Sequence, residues 1–582
     1  MLILNLISRL ISVSAFGLLI YDFGFNTSLE TSDFLQYFYF SILILFIVIE
    51  SVRIFNNILE TKWINFLEPL IPFITVVLIL YNSFELNIRF TESVRQYQFL
   101  YILSMFIIII PELISFISHL YKQKFSPAIL FVGSFKLLII IGSLLLLLPN
   151  ATTTHSLSIV DAVFTSTSAV CVTGLIVLDT GKDFTLFGQT IILVLIQLGG
   201  LGMLTLTSFF AYFFKGTSSY QENLYLKDFL SSNEMSGLLS FALKIVLFTL
   251  IIELIGAFFI YINIPVSEYP NLFDRVYFAI FHSVSAFCNA GFSTLSNNMY
   301  AEMFRFNYNI HLMLTVLFIV GGLGYAVIFN VFKYIKVKVV TLYKKYVLKV
   351  LNYQKSINIL TLNTKIVLLS SSVLLLIGTI SFFFAEYNNT LAEHTTFTGK
   401  FITSLFGGAS PRTAGFNTVD LSQLTMPTIM ITILLMWIGA SPASTGGGIK
   451  TSTFALAILN LVATVTGKNR IEIGTREIPQ VSVNRAFSIM LISLFVLGIS
   501  IVLISSIDKD IEFLSIAFEC FSAYSTVGLS LGITGILSDE SKIILVFVMF
   551  IGRVGAINIL IGLLRQIQSL PYKYPQESVI IN

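Results

Sequence analysis

Four short segments share one arrangement, a glycine followed by Leu or Phe: TSAVCVTGL (167–175), VSAFCNAGF (284–292), GASPRTAGF (408–416) and FSAYSTVGL (521–529). Their glycines, Gly174, Gly291, Gly415 and Gly528, lie 117, 124 and 113 residues apart, the mark of an internal repeat. The chemistry such segments offer is that of backbone carbonyls. A cation stripped of water inside a bilayer needs a replacement hydration shell, and rings of main-chain carbonyls supply one. Turning carbonyls inward in a row demands unusual dihedrals, which glycine adopts without steric cost. Glycine is common in membrane helices, so one such loop would carry little. Four in register carry the reading.

The elements that must hold these loops are membrane spans. Of 582 residues, 56% are hydrophobic and 11% charged, with mean hydropathy +0.89; a soluble domain carries roughly 25% charged residues. Stretches long enough to span recur at 8–25, 35–52, 64–84, 98–118, 127–149, 188–213, 238–264, 309–335, 361–385, 426–465, 486–507 and 541–565. That gives twelve spans. The first is expected to be a retained helix, because no small-residue cleavage site follows it. Lys and Arg collect in alternate loops (Arg53, Lys62, Lys122, Lys124, the 333–349 stretch, Lys468, Arg470, Arg476, Arg565, Lys573), and acids face them (Glu30, Asp33, Asp179, Asp183, Glu302, Glu386, Asp508, Asp510). The positive-inside rule then places both termini in the cytoplasm.

Each glycine segment follows a half-span helix between two spans, so outer span, re-entrant helix, glycine loop and inner span recur four times. The expected fold is all-α and multi-pass. Residues 1–124 form about four extra spans, 125–215, 236–350, 358–466 and 484–570 the four repeats, and 571–582 a cytoplasmic tail. Asp161, Asp274 and Glu512 lie near the starts of re-entrant helices, where acids suit the positive helix end. The opposite, negative ends would then aim at a cation.

Other chemistries find little support. Cys171, Cys288 and Cys520 give no disulfide framework or metal-ligand spacing. The five histidines are scattered without an H-E-x-x-H pattern. A net charge of +3 with clustered basic residues does not make a nucleic-acid footprint. No P-loop or dinucleotide fingerprint occurs, so nucleotide control would have to come from a partner. An intramembrane enzyme needs clustered His, Asp or Cys within spans, which are missing from this sequence. An alternating-access carrier usually shows a twofold repeat with broken helices in both halves; here the repeat is fourfold, with one broken helix expected.

That helix is span ten. SPASTGGGIKTST (441–453) interrupts it with Pro442 and three consecutive glycines, which an unbroken helix tolerates poorly. Aligned inner spans read QLGGLGML (197–204), IVGGLGYA (319–326), WIGASPAS (437–444) and FIGRVGAI (550–557). They place Gly199, Gly321, Gly439 and Gly552 near mid-membrane, where small residues serve helix packing. Arg553 sits in the same segment. A lone intramembrane Arg is either paired with a buried acid or functional. Arg412, beside the third glycine, is expected to be structural, with Glu519 one candidate partner. Cys171 and Cys288 occupy one repeat position and are read as packing residues. The lysine-rich 333–349 stretch is either a solvated face on an anionic leaflet or a docking surface for a regulator.

HSVSAFCNAGFST (282–294), PRTAGFNT (411–418), SAVCVTGL (168–175) and ASPASTGGGIKTST (440–453) resemble the Trk/Ktr/HKT superfamily of potassium transporters, over about residues 125–570. The resemblance implies a pseudo-fourfold, potassium-channel-like pore in each subunit of a homodimer. It implies a cytoplasmic, nucleotide-binding regulatory ring partner of TrkA or KtrA type, in a bacterial cytoplasmic membrane. The filter would then comprise Cys171, Val172, Thr173 and Gly174; Cys288, Asn289, Ala290 and Gly291; Arg412, Thr413, Ala414 and Gly415; and Ser525, Thr526, Val527 and Gly528. K+ would be held by the carbonyls of Val172, Thr173, Asn289, Ala290, Thr413, Ala414, Thr526 and Val527. Within the family a serine at the first glycine goes with sodium permeation, so Gly174 favours potassium. The gate would be the 441–453 loop with Ser441, Ser444, Thr445, Gly446, Gly447, Gly448 and Lys450, and Arg553 would project toward the pore and tune cation passage. Four N-terminal spans depart from the family pattern, which has none or one pair.

Overall fold

The computed structural model describes residues 2–25, 127–213, 238–267, 269–347, 359–468, 470–474 and 476–555, with scattered positions between 35 and 52 and Met105. Among these residues the protein is helical, apart from a small antiparallel hairpin of Ile471–Ile473 (β1) and Arg476–Ile478 (β2) and two isolated bridges. Leu2–Phe25 (α1) lies against the first repeat, where Asn150 Nδ2 donates to the Phe23 carbonyl at 3.1 Å and Phe23 stacks on Phe187. Of the other N-terminal spans expected, 64–84 lies outside the described residues, as does 98–118 apart from Met105.

The four repeats follow in order. The first is α2 (Pro127–Leu146), α3 (Ile159–Val170) and α4 (Leu186–Phe213). The second is α5 (Leu238–Asn263), α6 (Leu272–Phe287) and the pair α7 (Tyr308–Leu323) and α8 (Tyr325–Tyr346). The third is α9 (Leu362–Glu386), α10 (Phe397–Ala409) and the pair α11 (Met426–Trp437) and α12 (Thr451–Val465). The fourth is α13 (Gln480–Ile507), α14 (Phe513–Tyr524) and α15 (Asp539–Val554).

The short helices α3, α6, α10 and α14 start where the sequence puts acids and hydroxyls. Ser158 Oγ accepts from the Asp161 N–H at 3.0 Å and Thr396 Oγ1 from Gly399 at 3.1 Å, satisfying donors that a helix start leaves open. Asp161 and Asp274 fall in first turns, and Glu512 is the N-cap of α14.

Inner helices pack on the short helix of the next repeat: α4 on α6, α7 on α10, α11 on α14, and α15 back on α3. The last contact joins the fourth repeat to the first, so the repeats form a closed ring. The outward faces stay apolar. Leu243, Leu247, Leu254 and Phe258 on α5, and Leu491, Phe495 and Val502 on α13, are exposed, a belt that water would penalise and lipid does not. Ile7–Phe25, Ala242–Asn263, Leu362–Glu386 and Gln480–Ile507 are each long and apolar enough to cross a bilayer. The protein is a multi-pass membrane protein.

One expectation needs correction. The sequence points to a single broken inner helix, yet two are interrupted. The third breaks between Trp437 and Thr451, and the second bends by 101° between α7 and α8 at Gly324, whose φ is +82°. The GGLG of residues 199–202 is the same tetrapeptide and stays helical within α4. What differs is a partner: the Tyr325 N–H, which the break deprives of its helical acceptor, donates instead to the Ala443 carbonyl at 3.0 Å. The fourth inner helix, expected over 541–565, ends at Val554 with Gly555 at φ +86°; residues beyond 555 lie outside the described set.

Candidate functional site

Each short helix ends in a tight C-terminal turn that turns the chain into its glycine loop. In the first repeat the Thr173 N–H donates to the Ser168 carbonyl at 2.7 Å and Val172 to Ala169 at 3.1 Å. The same pair recurs as Ala290 to Ser285 and Asn289 to Ala286, and as Val527 to Ser522 and Thr526 to Ala523. This crossed pattern places the residue after the cap in the left-handed region, a position that glycine usually fills. Here it is filled by Val172 (φ +57°), Asn289 (+60°) and Thr526 (+50°), with Thr413 at +80° in the third repeat. Holding such residues there costs on the order of 1–3 kcal/mol each, and strain of this kind concentrates at functional sites. Two residues later Gly174, Gly291, Gly415 and Gly528 also have positive φ. One residue in each loop is thus bracketed by two positive-φ residues.

The loops meet as a ring. A Cβ on Gly291 would lie 2.9 Å from Gly415 Cα, and one on Gly415 would be 3.1 Å from Gly291 Cα and strike the Val527 carbonyl. A Cβ on Gly528 would lie 2.9 Å from Gly174 Cα, and one on Gly174 would strike the Ala290 carbonyl. Cyclic order 1-2-3-4 is therefore written in backbone contacts too close for any side chain. Above the ring opens a cavity of about 430 Å³ lined by all four glycines, with Asn298, Asn417 and Asp420 on its wall. The C-terminal, negative ends of α3, α6, α10 and α14 lead into the ring.

Four serines hold the loops, and sequence reasoning assigned them nothing. Ser168 Oγ donates to the Leu175 carbonyl at 2.7 Å and accepts from the Gly174 N–H at 3.1 Å. Ser285 Oγ donates to Phe292 at 2.7 Å, Ser410 Oγ to Phe416, and Ser522 Oγ accepts from Gly528 at 3.1 Å. The signal was present in the quoted segments: a serine six residues before the glycine in three repeats, and five before it in the third.

Residues 438–450 lie directly beneath the ring. A Cβ on Gly446 would meet Thr413 Oγ1, one on Gly447 would meet Thr526 Oγ1, and one on Gly448 would lie 3.1 Å from Ser525 Cβ. The segment also docks on the break in the second inner helix, with the Ser441 N–H donating to Gly322 at 3.0 Å and Thr445 to Gly321 at 3.4 Å. Its hydroxyls turn inward: Ser444 Oγ donates to Ser441 O at 2.7 Å, Thr445 Oγ1 to Phe287 O at 3.3 Å, and Thr451 Oγ1 to Ser441 Oγ at 3.3 Å. Lys450 Nζ folds back on the Gly446 carbonyl at 2.6 Å.

Arg553 is buried and donates to the Thr445 carbonyl through Nη1 and to Gly199 O at 2.7 Å through Nη2. No carboxylate pairs with it among the described residues. Arg412 does not meet Glu519, the partner expected for it. Its guanidinium donates to Ser371 O at 3.0 Å and Ser371 Oγ at 3.2 Å on α9, while Glu519 accepts from Thr534. Cys171 and Cys288 are buried free thiols at the caps of α3 and α6. The inner-helix glycines are packing positions: a Cβ on Gly199, Gly321 or Gly552 would collide with the carbonyl of Val170, Phe287 or Tyr524, each four residues before a loop glycine.

The model of a family described as TrkH, cation transport protein, matches residues 98–569. The potassium/sodium uptake protein NtpJ of Enterococcus hirae is 34% identical over 79% of this chain and 98% of its own length. Ktr system potassium uptake protein B of Vibrio alginolyticus is 37% identical over 76% of this chain and 94% of its own. The Bacillus subtilis protein of the same name is 36% identical over 78% and 96%. Among solved structures, the potassium transporter TrkH from Vibrio parahaemolyticus aligns over 85% of this chain and 96% of its own, with TM-score 0.60 and 19% identity. That likeness bears on the fold.

Proposed function

Because the chain belongs to the TrkH family of cation transport proteins, we propose that it conducts potassium into the cell through the ring of glycine loops. The observation that carries this reading is the closed ring itself, four loops with paired positive-φ residues around one axis below an open cavity. The cation is held by the carbonyls of Val172, Thr173, Asn289, Ala290, Thr413, Ala414, Thr526 and Val527, which replace its water. The chain moves ions down their electrochemical gradient and performs no covalent chemistry.

In this reading the gate is the 441–453 loop, whose non-helical part belongs to the 438–450 segment. Its glycines abut the Thr413 and Thr526 hydroxyls, and Arg553 and Lys450 bring two positive charges to the inner end of the ring, with no salt-bridge partner among the described residues. A cation leaving the ring meets both an obstruction and a like charge. Opening requires the segment to leave, and a cytoplasmic, nucleotide-binding ring protein is the partner that moves it. The functional unit is a homodimer in a bacterial cytoplasmic membrane, with both termini inside.

Rubidium and sodium uptake in a strain lacking its own potassium uptake tests the ion. Rubidium uptake that sodium competes for poorly is expected, and Gly174→Ser is expected to relax the preference. Growth rescue through sodium alone would instead make the ring a sodium path, the reading that the name of the Enterococcus relative keeps in view.

A further inference from the structure

The ring is not fourfold at its outer face. The carbonyls of Gly174, Gly415 and Gly528 receive no hydrogen bond among the described residues, but that of Gly291 accepts one from Asn298 Nδ2 at 3.1 Å. The amide orientation is fixed from the other side, since Asn298 Oδ1 accepts from the Met299 N–H at 2.9 Å; with oxygen and nitrogen exchanged, both bonds would be lost. Asn298 reaches this position with φ +53°, a conformation asparagine tolerates better than most residues. Asn298 and all four glycines line the same outer cavity. The amide hydrogen therefore stands where a cation entering from that cavity first meets carbonyl oxygen.

On the pore reading above, we propose that Asn298 is a specificity-determining residue of the outer mouth, holding the Gly291 carbonyl and leaving three glycine carbonyls to receive the incoming cation. An N–H donor puts partial positive charge beside the ion and occupies the oxygen the ion would use. The outermost position is thereby weakened for a dehydrated cation. The larger cation, which sheds its water more cheaply and is matched by more carbonyls, loses more of its advantage. Asn298 thus tempers potassium preference at the mouth and speeds release into the deeper ring, since conduction needs binding weak enough to leave.

Asn298→Gly separates the amide from the backbone, because glycine keeps the positive φ at no steric cost. In rubidium-uptake measurements on the full chain, the variant is expected to lower the apparent KM for rubidium by roughly two- to tenfold, the range a single hydrogen bond implies. The rubidium-to-sodium preference rises with it. Asn298→Asp also tolerates the conformation and cannot donate, so it should move the preference in the same direction while raising affinity for both ions through its charge. Unchanged KM and preference in both variants, with uptake intact, would overturn the proposal. So would a fall in preference, which would make the bond a support of the ring instead of a competitor for it. Failure of the unmodified protein to take up rubidium at all would count against the pore reading, not against Asn298 alone.

Discussion

Strain and hydroxyls set the ring at the level of single residues. Val172, Asn289, Thr413 and Thr526 are held at positive φ, and each loop is tied by one serine hydroxyl bonded within it. Ser168→Ala removes both the Leu175 and the Gly174 bond, so it should cost about 1–3 kcal/mol and lower the rubidium-to-sodium preference while the protein still reaches the membrane. An unchanged preference would mean the loop is held by packing alone. Gly291→Ala is expected to be more severe, abolishing uptake, because its methyl would sit 2.9 Å from Gly415 Cα. The glycines were legible from their spacing alone. The serines were not: periodicity says nothing of a hydroxyl reaching across seven residues, and in the third repeat Ser410 is displaced by one position.

Among the elements, the inner helices carry the asymmetry. Pro442 and Gly446–Gly448 announced the break in the third inner helix. The bend at Gly324 went unread because the same GGLG continues as helix in α4; only a contact more than a hundred residues away, Tyr325 N–H to Ala443 O, decides between them. Arg553 shows the same limit. Its cost in an apolar span was evident, but not its engagement with two carbonyls from different repeats. Two outcomes follow from the docking of the loop. Gly447→Ala drives a methyl into Thr526 Oγ1 and should displace the segment, raising basal potassium leak in vesicles. Arg553→Gln frees the Thr445 carbonyl and should raise the leak as well. A leak equal to that of the unmodified protein in both variants would show that residues 438–450 do not obstruct the path.

For the molecule as a whole, the chain must close a ring that its sequence leaves open between the fourth repeat and the first. At the outer end of that seam, Lys542 at the start of α15 reaches Asp161 in the first turn of α3 at 2.8 Å, both side chains largely buried. Removing one partner strands the other's charge, so Lys542→Ala should lower the melting temperature of the detergent-solubilised protein. The cost is on the order of 2 kcal/mol, and Asp161→Asn should be partly non-additive with it. Full additivity would mean the two side chains do not couple. Fold class was readable from the apolar spans and the four spaced glycines, whereas the seam was not, since nothing local links residue 161 to residue 542. The most direct test of the account is the reversal potential of single-molecule currents in a planar bilayer, with potassium on one side and sodium on the other. Unitary currents whose reversal is displaced far from zero, at the voltage that opposes potassium flow toward the sodium side, and shifts toward zero in Gly174→Ser, are predicted. A reversal at zero in the unmodified protein would contradict a potassium-selective ring.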